Sequence, residues 1–201
     1  MNDLLLMKSS KLKVFDGFNR ADSALSLGNT DTGQAWLASV GTWGISSGKA
    51  YNASATSSGK CGIDSGLTDG KFSAELFSDN YTSSNPRVPN FTFRGIDSSN
   101  FLSGYVFNGN LALDKVDGGV STTLASVAQI MTDGATYSID VICNGTNIII
   151  SVNGANKINY TLAGTDATKF TAANCTRIGF RTGGTTNLAN VRFDSLKAEV
   201  I

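Results

Sequence analysis

Residues 137–162, YSIDVICNGTNIIISVNGANKINYTL, alternate apolar and polar side chains in three consecutive runs: Tyr137, Ile139, Val141 and Cys143, then Ile148, Ile150 and Val152, then Ile158, Tyr160 and Leu162. A period of two belongs to a strand with one face buried. Asn144-Gly145 and Asn153-Gly154 separate the runs, and this dipeptide supplies the positive φ angles of a tight hairpin turn. The stretch therefore predicts a three-stranded antiparallel meander. A meander cannot bury its own apolar face, so the remainder of the chain has to supply a second layer of strands.

The remainder is suited to that. Glycine is abundant at 22 of 201 residues, only 16% are charged, and Ser, Thr and Asn fill many polar positions, a strand-and-turn composition rather than a helical one. Strands are expected at residues 13–18, 42–45 and 49–51 about Ser47-Gly48, 61–65 and 70–78, then near 91–97, 101–107, 110–116 and 121–128. After the meander come 175–181 and 191–200, with one short helical turn possible at 165–170. Both prolines end a polar loop at 78–90, where they are expected to keep it out of a central strand. About thirteen short strands fit an all-β, two-sheet antiparallel β-sandwich of the jelly-roll kind better than an immunoglobulin sandwich. Residues 1–12 show no sustained period and are expected to be a linker or flexible arm, with 13–201 as one domain.

Several partner classes are set aside by composition. Lys plus Arg equals Asp plus Glu, so the formal net charge is zero and no basic run interleaves with aromatics; nucleic acid is not an expected partner. No apolar run is long enough to insert in a membrane, and Leu4–Met7 is too short for a signal peptide. The chain is expected to fold in a cytosol or to be a piece of a longer protein. Cys61, Cys143 and Cys175 are odd in number with no close pair, which leaves a buried thiol at Cys143 or a Cys143–Cys175 bridge.

From Val14 onward the residues carry a resemblance. Phe15–Phe18, Trp36, Gly41-Thr42-Trp43 and Gly48-Lys49 resemble the opening of concanavalin A-like jelly rolls of the laminin-G and carbohydrate-binding-module type. Phe93-Arg94, Asp97, Asn100, Tyr105, Leu111–Leu113 and Lys115 resemble the middle of that pattern, and Arg177–Gly183 with Phe193–Leu196 its end. Asn19–Ser23, Leu27-Gly28 and Thr32–Trp36 are similar to modules of bacteriophage tail proteins. The resemblance implies a domain carried on a virion tail and assembled in the host cytoplasm, where it holds cell-wall or capsular saccharide alongside other virion proteins. It also implies Ca²⁺ pinning the first strand to the last, for which Asp16 and Asp194 occupy the matching strands; otherwise they cap turns.

Catalysis has little to work with. Only two glutamates are present, Glu75 and Glu199, in no paired motif, and there is no histidine, whereas glycoside hydrolysis uses two flanking carboxylates and the common nucleophilic triads use a histidine. Binding asks for less, since sugar C–H faces stack on aromatic rings and hydroxyls meet polar side chains. Trp43, Tyr81, Arg94, Asp97, Asn100, Tyr105, Lys115 and Arg181 are the candidates. Trp43 is otherwise a core anchor. Arg94 alternates with Phe91 and Phe93, so it projects onto the open face if they are core; otherwise it pairs with Asp97 or caps a strand. A non-catalytic saccharide-binding domain is the expectation, with a structural or oligomerising domain and a glycan-cleaving enzyme as alternatives.

Overall fold

The computed structural model describes residues 11–54, 58–82, 88–107, 109–183 and 188–201. Among these, fifteen strands form two antiparallel sheets. The first sheet runs β13 (Ala155–Thr161), β12 (Asn147–Val152), β11 (Thr136–Asn144), β6 (Gly70–Phe77), β15 (Arg192–Glu199), β4 (Lys49–Asn52) and β3 (Trp43–Ser46). β1 (Leu12–Asp16) also pairs with β15, along the part that β4 leaves free. The second sheet runs β10 (Val120–Ala128), β9 (Asn110–Asp117), β8 (Phe101–Phe107), β7 (Val88–Gly95), β14 (Arg177–Gly183), β5 (Gly59–Asp64) and β2 (Leu37–Val40). One helix, α1 (Gly164–Phe170), crosses between β13 and β14. No helix among the described residues is long and apolar enough to cross a membrane.

The meander forms as its alternation requires. Ile139, Val141, Cys143, Ile148, Ile150 and Ile158 are buried on one face. Asn153-Gly154 turns with φ of 49° and 77°, and Ser47-Gly48 with 53° and 70°, the pair of left-handed residues that a two-residue hairpin takes. The first meander turn is shifted by one: Asn144 pairs with Asn147, so Gly145-Thr146 make the connection.

Aromatic rings join the layers. Phe193 of β15 stacks on Phe180 of β14 with centroids 4.3 Å apart; Phe180 meets Trp36 at 5.5 Å, and Trp43 meets Phe193 at 5.7 Å. Cys61, Cys143 and Cys175 are buried free thiols, so the bridge alternative is not formed, and burial pushes the Cys143 thiol up to about 12.

Three expectations are corrected. β2 was not expected: Leu37 and Val40 remain 60% and 46% exposed on an edge strand, so an apolar run that suggests core is core only at Trp36. Pro89 lies inside β7, a central strand, because pairing with β8 starts only at Asn90 and Pro89 there has β14 as its neighbour. The sandwich begins earlier than residue 13, since Leu12 pairs with Glu199 and the Lys11 carbonyl accepts from the Val200 amide; the rest of the expected arm, residues 1–10, lies outside the described residues.

Candidate functional site

The outer face of the second sheet carries the chemistry. On β14 the alternation sends Ile178, Phe180 and Thr182 inward and Arg181 outward; on β5 it sends Cys61 and Ile63 inward and Lys60 outward. Arg181 and Lys60 are cross-strand partners, and Arg181 also faces Asn90, which in turn faces Tyr105. Asp114 of β9 lies opposite Ser103. Gly62 and Gly179 are partners in the middle of this face, and a Cβ at Gly62 would come 2.9 Å from the Ile178 carbonyl oxygen, so backbone floors the face there.

Three adjoining cavities run across it. One of about 270 Å³ is lined by Asn90, Tyr105, Asp114, Ser121 and Arg181 among others. The next, about 220 Å³, shares Ser121 and Arg181 and adds Lys60, Phe101 and Val116. The third, about 80 Å³, shares Lys60 and Phe101 and extends to Leu37 and Arg177. Together they make one groove across the strands.

Asp114 is its most constrained residue. Its Oδ2 accepts the Tyr105 hydroxyl at 2.9 Å and the Ser121 hydroxyl at 2.8 Å, whereas Oδ1 is buried without a hydrogen-bond partner, and the residue is only 6% exposed. Burial and the neighbouring Asp114 carboxylate push the Tyr105 phenol up to about 12, so it stays protonated and donates. Lys60 crosses the groove floor, its ammonium 3.3 Å from the Phe101 ring centroid and donating to the carbonyls of Asp97 (3.0 Å) and Ser98 (3.3 Å). Burial and the charges of Arg181 and Arg177 pull its pKa down to about 7.

No known protein family and no curated protein sequence matches this chain. Solved structures do. A gut-bacterial protein described among endo-acting O-glycanases that initiate mucin breakdown superposes with a TM-score of 0.65 at 10% identity, covering 94% of this chain and 99% of the other. The carbohydrate-binding module CBM66 from Bacillus subtilis gives 0.57 at 12% identity, over 81% of this chain and 92% of the module. A Bacillus licheniformis β-glucanase gives 0.57 at 12% identity, over 96% and 99%. The fold is a lectin- and glucanase-type jelly roll.

Within the jelly roll the sequence candidates part company. Tyr105 and Arg181 meet in the groove. Asp97 borders it in the β7–β8 turn, where its carboxylate takes the Ser99 amide and the Asn100 side chain and its carbonyl holds Lys60. Asn100 and Lys115 instead anchor α1: Lys115 pairs with Asp166 at 2.7 Å, and Asn100 accepts from Lys169 at 2.6 Å. Trp43 is 1% exposed, its indole donating to the Val40 carbonyl, so it is a core anchor rather than a stacking platform. Tyr81 is 5% exposed, edge-on to Tyr137, with its hydroxyl directed to the Leu76 carbonyl.

Arg94 is the sharpest correction. It is fully buried and donates to the Thr68 carbonyl, Asp69 and the Gly145 carbonyl, tying the β5–β6 loop to the first meander turn. Its φ is 46°, and the β7–β14 register slips between Arg177 and Gly179. That bulge breaks the alternation and redirects the side chain away from the open face.

Calcium between Asp16 and Asp194 does not fit the residues present. The fully buried Asp16 carboxylate accepts the Phe18 amide, the Trp36 indole and two nitrogens of Arg20, all at 2.6–2.9 Å, so a guanidinium already serves as its counter-ion. Asp194 pairs with Lys49 at 2.7 Å. Among the described residues no group of three or more His, Cys, Asp or Glu is placed to hold a metal ion.

Asp114, Lys60, Asn90 and Ser121 are groove residues that sequence reasoning missed. Only Asp114 left a signal, as a charge following the apolar run Leu111–Leu113 and preceding Lys115 in the same strand.

Proposed function

We propose that this protein is a non-catalytic saccharide-binding domain whose site is the groove on the outer face of the second sheet. The observation that carries the reading is an open groove of about 270 Å³ in which an aromatic residue, Tyr105, fixed by its hydrogen bond to Asp114, lies among the polar side chains of Asn90, Ser121 and Arg181. Asp114 holds the Tyr105 and Ser121 hydroxyls in place, so the polar lining of the groove is set before a sugar arrives. Asn90, Ser121 and Tyr105 supply further polar contacts, and the Tyr105 ring supplies a surface for C–H stacking.

Binding rather than cleavage is supported by the carboxylate inventory. Among the described residues Asp114 is the one carboxylate lining the two larger cavities of the groove, with Asp64 and Asp97 at the third, and two are needed to flank a scissile glycosidic bond. Glu75 and Glu199 line a cavity on the outer face of the other sheet. The resemblance of residues 19–36 to tail modules supports a finer reading, in which the domain sits on a virion tail and recognises a host-surface glycan.

The test is a glycan array with wild type, Asp114→Ala and Tyr105→Ala, alongside labelling of bacterial cells by a fluorescent fusion. Binding is expected for wild type and should fall at least tenfold in both variants while they remain folded by circular dichroism. Retention of glycan by Asp114→Ala, or binding of no glycan by wild type, overturns the proposal; failure to label any cell removes the host-recognition reading alone.

A further inference from the structure

The groove is asymmetric in charge. At one end stands Asp114, whose carboxylate accepts the Tyr105 and Ser121 hydroxyls. The adjoining cavity of about 220 Å³ is lined by two basic side chains, Lys60 and Arg181, and by no acidic side chain among the described residues. Arg181 is half-buried, and its guanidinium makes no hydrogen bond or ion pair among the described residues. Most other basic side chains near carboxylates are engaged: Arg20, Lys49, Arg94, Lys115 and Lys169 each contact one at 2.5–2.7 Å. A half-buried guanidinium pointing into a cavity without a counter-ion is the form of an anion subsite, because the planar fork binds a carboxylate or phosphate through two parallel hydrogen bonds.

We infer that the groove takes an acidic oligosaccharide, with an anionic group of one sugar held by Arg181 beside Lys60 and a neighbouring sugar resting against Tyr105. This rests on the saccharide-binding reading and narrows it to sugars bearing a carboxylate, sulfate or phosphate. The arrangement suits more than one ring. The groove runs from β9, which carries Asp114, past β8 and β7 to β14, which carries Arg181, about 14 Å between the outer backbones at the usual strand spacing. Asp97, the nearest acid to Lys60, has its carboxylate turned into its own loop by Ser99 and Asn100, so it forms no ion pair with Lys60 or Arg181.

The experiment is an array holding uronate-bearing, sialylated, sulfated, phosphate-bearing and neutral oligosaccharides, probed with wild type, Arg181→Gln, Arg181→Lys and Lys60→Met at low and at 0.5 M salt. Acidic glycans are expected to bind, at least tenfold more weakly in high salt, with at least a tenfold loss in Arg181→Gln and partial rescue in Arg181→Lys; the arms identify which anion is preferred. Lys60 packs on Phe101, so should Lys60→Met fail to fold, Arg181→Gln and the salt dependence decide. Binding confined to neutral glycans and unchanged in Arg181→Gln overturns this inference and leaves the saccharide reading standing. Binding of no glycan in any class overturns both.

Discussion

Replacing Arg94 with alanine removes a guanidinium that ties together three parts of the chain: the Thr68 carbonyl at 3.2 Å, the Asp69 carboxylate at 2.6 Å and the Gly145 carbonyl at 2.5 Å. Breaking a buried charge pair by deleting one partner costs about 3–5 kcal/mol. Asp69 is 47% exposed and rehydrates when abandoned, and Nη1 of the arginine is itself without a partner, so the low end, about 3 kcal/mol, is the expected loss. In a domain of this size each kcal/mol moves the melting temperature by about 2–4 °C, which gives about 6–12 °C. Urea denaturation and thermal melts followed by tryptophan fluorescence measure both quantities. Arg94→Gly should be milder than Arg94→Ala by up to about 1 kcal/mol, because glycine adopts the left-handed backbone at this bulge without strain. A loss below about 1 kcal/mol in Arg94→Ala, accompanied by loss of glycan binding, would refute the structural role and make Arg94 a ligand contact.

The charges of Lys60 and Asp16 set the remaining expectations. Lys60 should titrate near 7 by NMR of its side chain, lowered first by burial and then by Arg181 and Arg177 against the opposing carboxylate of Asp97 and the Cys61 thiol. Between about 7 and 10.5 the unfolded lysine retains a proton that the folded one has released, so wild type should gain stability with rising pH across that window relative to Lys60→Met; a titration above 9.5, or no difference between the two proteins, rejects the assignment. Chelation with EDTA should leave the melting temperature unchanged, whereas Asp16→Ala should lower it by about 6 °C or more, since it strands Arg20 and the Trp36 indole. A melting temperature that drops on chelation would restore a calcium site.

What the sequence determined by itself is the strand pattern. Alternation at period two and turn dipeptides such as Asn153-Gly154 and Ser47-Gly48 are local properties, and they sufficed for the meander, the hairpins and the two-sheet class. The inward and outward sides of β5 and β14 follow the same parity, but Arg181 was legible only by its chemistry, as one of several polar and aromatic side chains suited to a sugar. Parity fails where a backbone departs from the ladder. A single bulge at Arg94 turned an outward position into a buried one, and nothing in the residue types announces it. Nor does local pattern say which strands become neighbours. β7, β14 and β5 lie far apart in the chain, and only their pairing sets Lys60 beside Arg181 and brings Arg181 within reach of Tyr105 and Asp114. The free oxygen of Asp114 is likewise a tertiary fact: burial and the hydroxyls of Tyr105 and Ser121 define what is left unpaired, and those are settled by packing.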